Sequence, residues 1–87
     1  MGVKMYITIK YRAYLASLTK TESEKTEALT VKEVLGYIKK QYGSEAGKLA
    51  KTMLIVVNGQ SILQLKHFKT ILKDGDEISF LPICGGG

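Results

Sequence analysis

The residues of this 87-residue chain best placed to do chemistry stand at its end, where Gly85, Gly86 and Gly87 follow Cys84. Glycine has no Cβ, so such a segment takes extended or positive-φ shapes and can thread a narrow channel. It carries the Gly87 carboxylate on a slim arm with no side chain to block attack. A phosphate-cradling loop, the other common use of clustered glycines, needs a helix after the loop, and the sequence supplies none. Composition alone also leaves open a frayed terminus. The remaining candidates are weaker. His67 and Cys84 are the chain's single histidine and cysteine, which excludes an intrachain disulfide and any metal site built from several His or Cys ligands. Cys84 could carry a persulfide, but no neighbour in sequence would activate it as a thiolate. Asp74 and Asp76 resemble an acid/base pair, yet they flank Gly75 in a turn, where Asp is commonplace; turn duty is the better reading. Lys39-Lys40 reads as a solvated helix end.

Composition bounds what can position such a tail. At 45% apolar residues the chain supports one packed domain, with little left for a second layer or a deep cleft. The net charge is +5 and the lysines are scattered, with Arg12 the lone arginine. Base-specific readers favour arginine forks, so nucleic-acid binding is not expected as the main function. The longest apolar run, Met53 to Val57, is far short of the ~18 residues of a membrane span. The N-terminus lacks an apolar signal core, and Tyr6 stands where a myristoylation signal needs Ser or Thr. A cytoplasmic location is expected, and a chain without bridges suits a reducing compartment.

The elements that must aim the tail can be read from periodicity. Val3, Met5, Ile7, Ile9 and Tyr11 alternate with Lys4, Thr8, Lys10 and Arg12, which predicts a half-buried strand. Tyr6 is the apolar exception on the polar face. Ala13–Leu18 is a short helical turn or loop, and a weaker strand is expected over Ser23–Leu29. Thr30 and Glu33 form a capping box before the stripe Val31, Val34, Leu35, Ile38 and Tyr42. Gly43 suits a left-handed helix end, and Ser44–Lys51 is a candidate second helix. Met53–Val57 is continuously apolar, as in a strand buried on both faces. Asn58-Gly59 predicts a tight turn, and 62–71 a short edge strand. Asp74-Gly75 predicts another turn before a last strand, Glu77–Leu81, with Ile78 and Phe80 inward. This order predicts an α+β domain with a mixed sheet of four to five strands on one main helix. A β-grasp arrangement, with the first and last strands adjacent at the centre, fits it.

Asn58-Gly59, Leu72-Lys73-Asp74-Gly75-Asp76-Glu77-Ile78, Phe80-Leu81-Pro82 and the terminal Gly-Gly together resemble the small sulfur-carrier family. Its members include the small subunit of molybdopterin synthase, the thiamin sulfur carrier and the ubiquitin-related modifiers. The resemblance spans essentially the whole chain and is most specific in its C-terminal third. Three glycines stand where the family uses two, so the functional pair maps onto Gly86 and Gly87. Ile83 replaces a frequent second proline, and Arg12 stands where an aromatic is common.

The resemblance implies a ubiquitin-like (β-grasp) body over residues 1–82 and a flexible tail over 83–87. It implies that an E1-like adenylyltransferase, holding ATP and Mg²⁺, transfers AMP to the Gly87 carboxylate, and that sulfur then displaces AMP. Gly85 and Gly86 would thread the pocket, and Leu81, Pro82, Ile83 and Tyr6 would meet partners. No cofactor or metal would be bound, and the chain would be a carrier rather than an enzyme. The implied pathway is most like that of the molybdopterin synthase small subunit, which works against a larger subunit. Conjugation to lysines of target proteins, with or without tRNA thiolation, is the alternative. An interaction domain with an inert tail is a third.

Overall fold

The structure, a computed structural model, describes residues 5–83. Val3 and Lys4 lie outside the described residues, and the rest of the alternation becomes strand β1, Tyr6–Tyr11, which buries Ile7, Ile9 and Tyr11 and turns Tyr6, Thr8 and Lys10 to the opposite face. The ambiguous segment after it folds as helix α1, Ala13–Thr19, inserting Leu15 into the core. Strand β2, Ser23–Glu27, then pairs antiparallel with β1, Glu24 lying opposite Ile9. It stops two residues short of the expected Leu29, because Ala28 turns into the core while Leu29 is left exposed.

Helix α2, Val31–Tyr42, begins where the capping residues predict. Thr30 Oγ1 accepts the Glu33 amide at 3.1 Å, but the Glu33 carboxylate reaches past Thr30 to accept the Leu29 amide at 2.9 Å. Val31, Val34, Leu35 and Ile38 form the buried stripe. Gly43 departs from the left-handed helical well expected of it. It sits at φ 101°, ψ 172°, a region that still demands glycine, and so ends α2 while starting helix α3, Ser44–Thr52.

Strand β3, Leu54–Val57, corrects the prediction of burial on both faces: Ile55 and Val57 are buried, Leu54 and Val56 only half-buried. Asn58 and Gly59 both take positive φ, 51° and 86°, the signature of a type I′ hairpin. That turn leads to β4, Gln60–Ser61, which forms one edge of the sheet. The expected strand over 62–71 is instead two 3₁₀ turns, Ile62–Gln64 and His67–Lys69, and an isolated bridge between Ile71 and Thr30. The reason is spacing: Ile62 and Leu65, three apart, turn inward while Leu63 stays exposed, and a strand cannot satisfy that period.

Strand β5, Glu77–Leu81, completes a sheet of order β2-β1-β5-β3-β4, with β1 and β5 parallel and the other pairs antiparallel. First and last strands thus meet at the centre, and the fold is a ubiquitin-like β-grasp of class α+β. The inward side chains of β1, β3 and β5 share one core with α1, α2 and α3, so three helices line the face for which one main helix was expected.

Candidate functional site at the end of β5

β5 lies between β1 and β3, so both neighbours hold it in place. Ile78 and Phe80 are fully buried, which clamps the strand up to its penultimate residue. By alternation Leu81 then turns to the outer face, where it lies opposite Leu54 of β3. Pro82 cannot donate a ladder hydrogen bond, and the strand ends. Pro82 and Ile83 are exposed, Ile83 with 65% of its surface open. Beside Ile83 a cavity of about 210 Å³ is lined by Lys51, Met53, Leu54, Leu63, His67 and Phe68, among others. The candidate site is therefore an apolar corner where α3 passes into β3 and where the chain leaves β5.

Leu81, Pro82 and Ile83 come together at this corner; Tyr6 does not join them. It shares the outer face, but parallel pairing of Thr8 with Glu77 puts Tyr6 beside the start of β5. There its carbonyl accepts the Gly75 amide at 2.8 Å. From Gly75 to Leu81 is roughly 20 Å at strand rise. Cys84, Gly85, Gly86 and Gly87 lie outside the described residues. Leu54, Leu63 and Phe68 were missed from sequence: Leu54 was hidden in an apolar run, and the other two in a segment read as a strand.

The acidic pair does turn duty. Asp74 Oδ1 accepts the Tyr6 amide at 2.9 Å, Asp76 Oδ2 the Lys73 amide at 2.8 Å, and Asp76 Oδ1 the Asn58 side-chain amide at 2.9 Å. His67 is exposed at the head of a 3₁₀ turn. No cluster of three or more His, Cys, Asp or Glu suited to a metal ion exists among the described residues. No helix among them is long and apolar enough to cross a membrane.

A second polar cluster lies where β1 and β2 meet α2, with the Tyr11 ring stacked on Phe80 at 6.4 Å between centroids. Tyr11, Tyr42 and Tyr37 all donate to the Glu24 carboxylate, at 2.6, 2.5 and 2.8 Å. Burial pushes the Tyr11 phenol up from its ordinary value, and the hydrogen bond to Glu24 adds to this. Burial likewise pushes Glu24 up, but the three phenol hydrogen bonds outweigh it and hold the carboxyl below the usual range. All three donors and both acceptor oxygens are engaged, so the cluster braces β2 against α2 and offers no free acid or base.

Comparison with known proteins agrees with this fold. The model of the ThiS family matches residues 9–87, the glycine tail included. No curated protein matches the chain. Among solved structures, the small archaeal modifier protein 1 of Methanosarcina acetivorans is 27% identical, covers 99% of this chain and 100% of its own, and superposes with a TM-score of 0.82. Subunit 1 or 2 of the molybdopterin-converting factor of Helicobacter pylori, in a structure of the two subunits in complex, is 25% identical over 95% of this chain and 100% of that one, with a TM-score of 0.68. Urm1 of Trypanosoma brucei shares the fold at 20% identity, covering 99% and 100%, with a TM-score of 0.72. With the family model spanning nearly all of its length, the chain belongs to the ThiS family of small ubiquitin-like sulfur carriers and modifiers.

Proposed function

We propose that this protein is a sulfur carrier activated at its C-terminal glycine, with residues 1–82 as the body and 83–87 as the working tail. The observation that carries the reading is the family match continuing through Gly87, on a fold whose central strand runs directly toward that tail. A carboxylate is a poor electrophile. An E1-like adenylyltransferase, supplying ATP and Mg²⁺, would join the Gly87 carboxylate to AMP and release pyrophosphate. A sulfur nucleophile at the hydrosulfide level then displaces AMP, and the acyl carbon keeps its oxidation state as a thiocarboxylate.

The chain's own part is positional. Gly85 and Gly86 let the tail thread two different pockets, and Leu81, Pro82 and Ile83 provide the apolar footing on each partner. Tyr6 would belong to a separate contact on the same sheet face. The protein is then substrate and carrier, while acid, base and nucleotide site belong to its partners. Likeness to a molybdopterin-converting factor subunit supports a receiving subunit of molybdopterin synthase as the sulfur acceptor. Likeness to a small archaeal modifier protein supports a second reading, in which the amine of a target lysine displaces AMP to give an isopeptide.

Mass spectrometry of N-terminally tagged protein recovered from its own cells tests both. The expected species has one oxygen replaced by sulfur. Target peptides bearing residues 74–87 on a lysine would establish the modifier. Unmodified protein alone, with the activating enzyme present and working, would overturn both readings.

A further inference from the structure

Helices α2 and α3 leave an open groove of about 510 Å³ between them and the 3₁₀ turn that carries Phe68. Lys32, Lys39, Lys48, Lys51 and Lys69 line it, and no acidic side chain does. None of the five is ion-paired among the described residues, where the salt bridge is Lys10–Glu77. Five like charges around one depression repel one another, so this arrangement does not serve the fold.

A second, independent feature points the same way. Gly36 lies in the middle of α2 and lines the groove. Glycine there costs about 1 kcal/mol relative to alanine. Close packing does not require it, since a Cβ built at Gly36 meets nothing within 4 Å. What the missing side chain preserves is the depth of the groove. Phe68, 40% exposed, gives this recess an apolar wall.

We propose that this groove docks an acidic segment of a partner protein. One large apolar side chain sits over Gly36 against Phe68, and flanking Asp or Glu residues meet the lysine rim. Nucleic acid fits the geometry less well. The lysines ring a recess rather than track a backbone, Arg12 lies elsewhere, and one aromatic is not a stacking platform. A small anion fits less well too, because the lysines are exposed and no buried donor fixes a geometry. Lys51 and Phe68 also line the cavity beside Ile83, so a docked partner lies next to the exit of the tail. The docking itself does not depend on whether the tail is activated.

The test is fluorescence anisotropy on the full chain with a fluorescein-labelled polyglutamate peptide holding one central phenylalanine. Saturable binding is expected, weakened about tenfold, or ~1.4 kcal/mol, when the phenylalanine is replaced by glutamate. Gly36→Leu, whose Cβ meets nothing within 4 Å and whose side chain extends into the recess, should weaken it about as much while the thermal midpoint stays equal or rises. Combined Lys48→Glu and Lys69→Glu should do the same, and combined Lys20→Glu and Lys25→Glu, away from the groove, should leave it intact. Three outcomes would each overturn the proposal: no peptide binding, equal losses from both charge-reversal pairs, or tighter binding of a labelled single-stranded oligonucleotide.

Discussion

Glu24 shows how much one side chain can organise. It points inward from an edge strand, opposite Ile9, and three phenols make its charged form the favoured one. A carboxyl held below its unfolded value stabilises the fold above the ordinary carboxylate range near ~4.3, and that stability is lost as pH falls through the folded value. Tyr11, Tyr42 and Tyr37 are raised, so their contribution is complete below their ordinary value near ~10 and is lost at higher pH. Glu24→Gln replaces one acceptor oxygen by a donor. It should cost about 2 kcal/mol at neutral pH, the scale of a charged hydrogen bond. Urea titrations should show that deficit shrinking as pH is lowered and the native carboxyl protonates. Asn58 is a second such residue. It holds φ 51° in the hairpin, donates to Asp76 and accepts the Glu77 amide. Asn58→Ala should destabilise by about 2 kcal/mol through lost hydrogen bonds and a left-handed alanine, measured by the same titration. The Asn58-Gly59 turn was legible because its chemistry is local. The tyrosine–carboxylate cluster was not, since Glu24 joins Tyr37 and Tyr42 only after β2 packs beside α2.

At the scale of elements, two glycines that look alike in sequence have opposite roles. Gly36 is exposed, and a Cβ there would meet open space. Gly47 is buried where α3 crosses α2, and a Cβ there would lie 2.9 Å from the Lys39 Cβ and 3.3 Å from its Cα. Gly36→Ala should therefore stabilise the protein by about 1 kcal/mol through helix propensity. Gly47→Ala should destabilise it by roughly 1–3 kcal/mol, since the helices must separate to admit the methyl group. Thermal melts of the two variants should move in opposite directions, and a shared direction would contradict the described α2–α3 packing. The start of α2 was readable to the residue because Thr30 and Glu33 act within one turn. The path of 62–71 was not, because its three-residue spacing is too short a stretch for periodicity to decide.

Over the whole molecule, the buried part of the fold ends before the proposed working tail begins. The buried part of β5 ends at Phe80, and Pro82 and Ile83 are exposed. Removing Gly86 and Gly87 should leave the melting midpoint unchanged while abolishing any thiocarboxylate or isopeptide, read by calorimetry and mass spectrometry of the same preparation. Leu81→Asp should cost little stability, about 1 kcal/mol for half-buried apolar area, yet weaken capture by an activating enzyme.

What the sequence determined by itself is everything that acts locally or through a regular period. That covers the inward faces of β1 and β5, the capped start of α2, the tight turns at 58–59 and 74–75, and the family motif at the C-terminal end. Tertiary structure decided what depends on register. Parallel pairing of β1 with β5 sends Tyr6 to the end away from Leu81. The helices share a core with the Ile55 and Val57 face of β3, which leaves Leu54 and Val56 on the other face half-covered, with Leu54 opposite Leu81. The crossing of α2 and α3 gathers lysines scattered along the chain into one groove. Each of these brings together residues far apart in sequence, and only the folded backbone sets which of them meet.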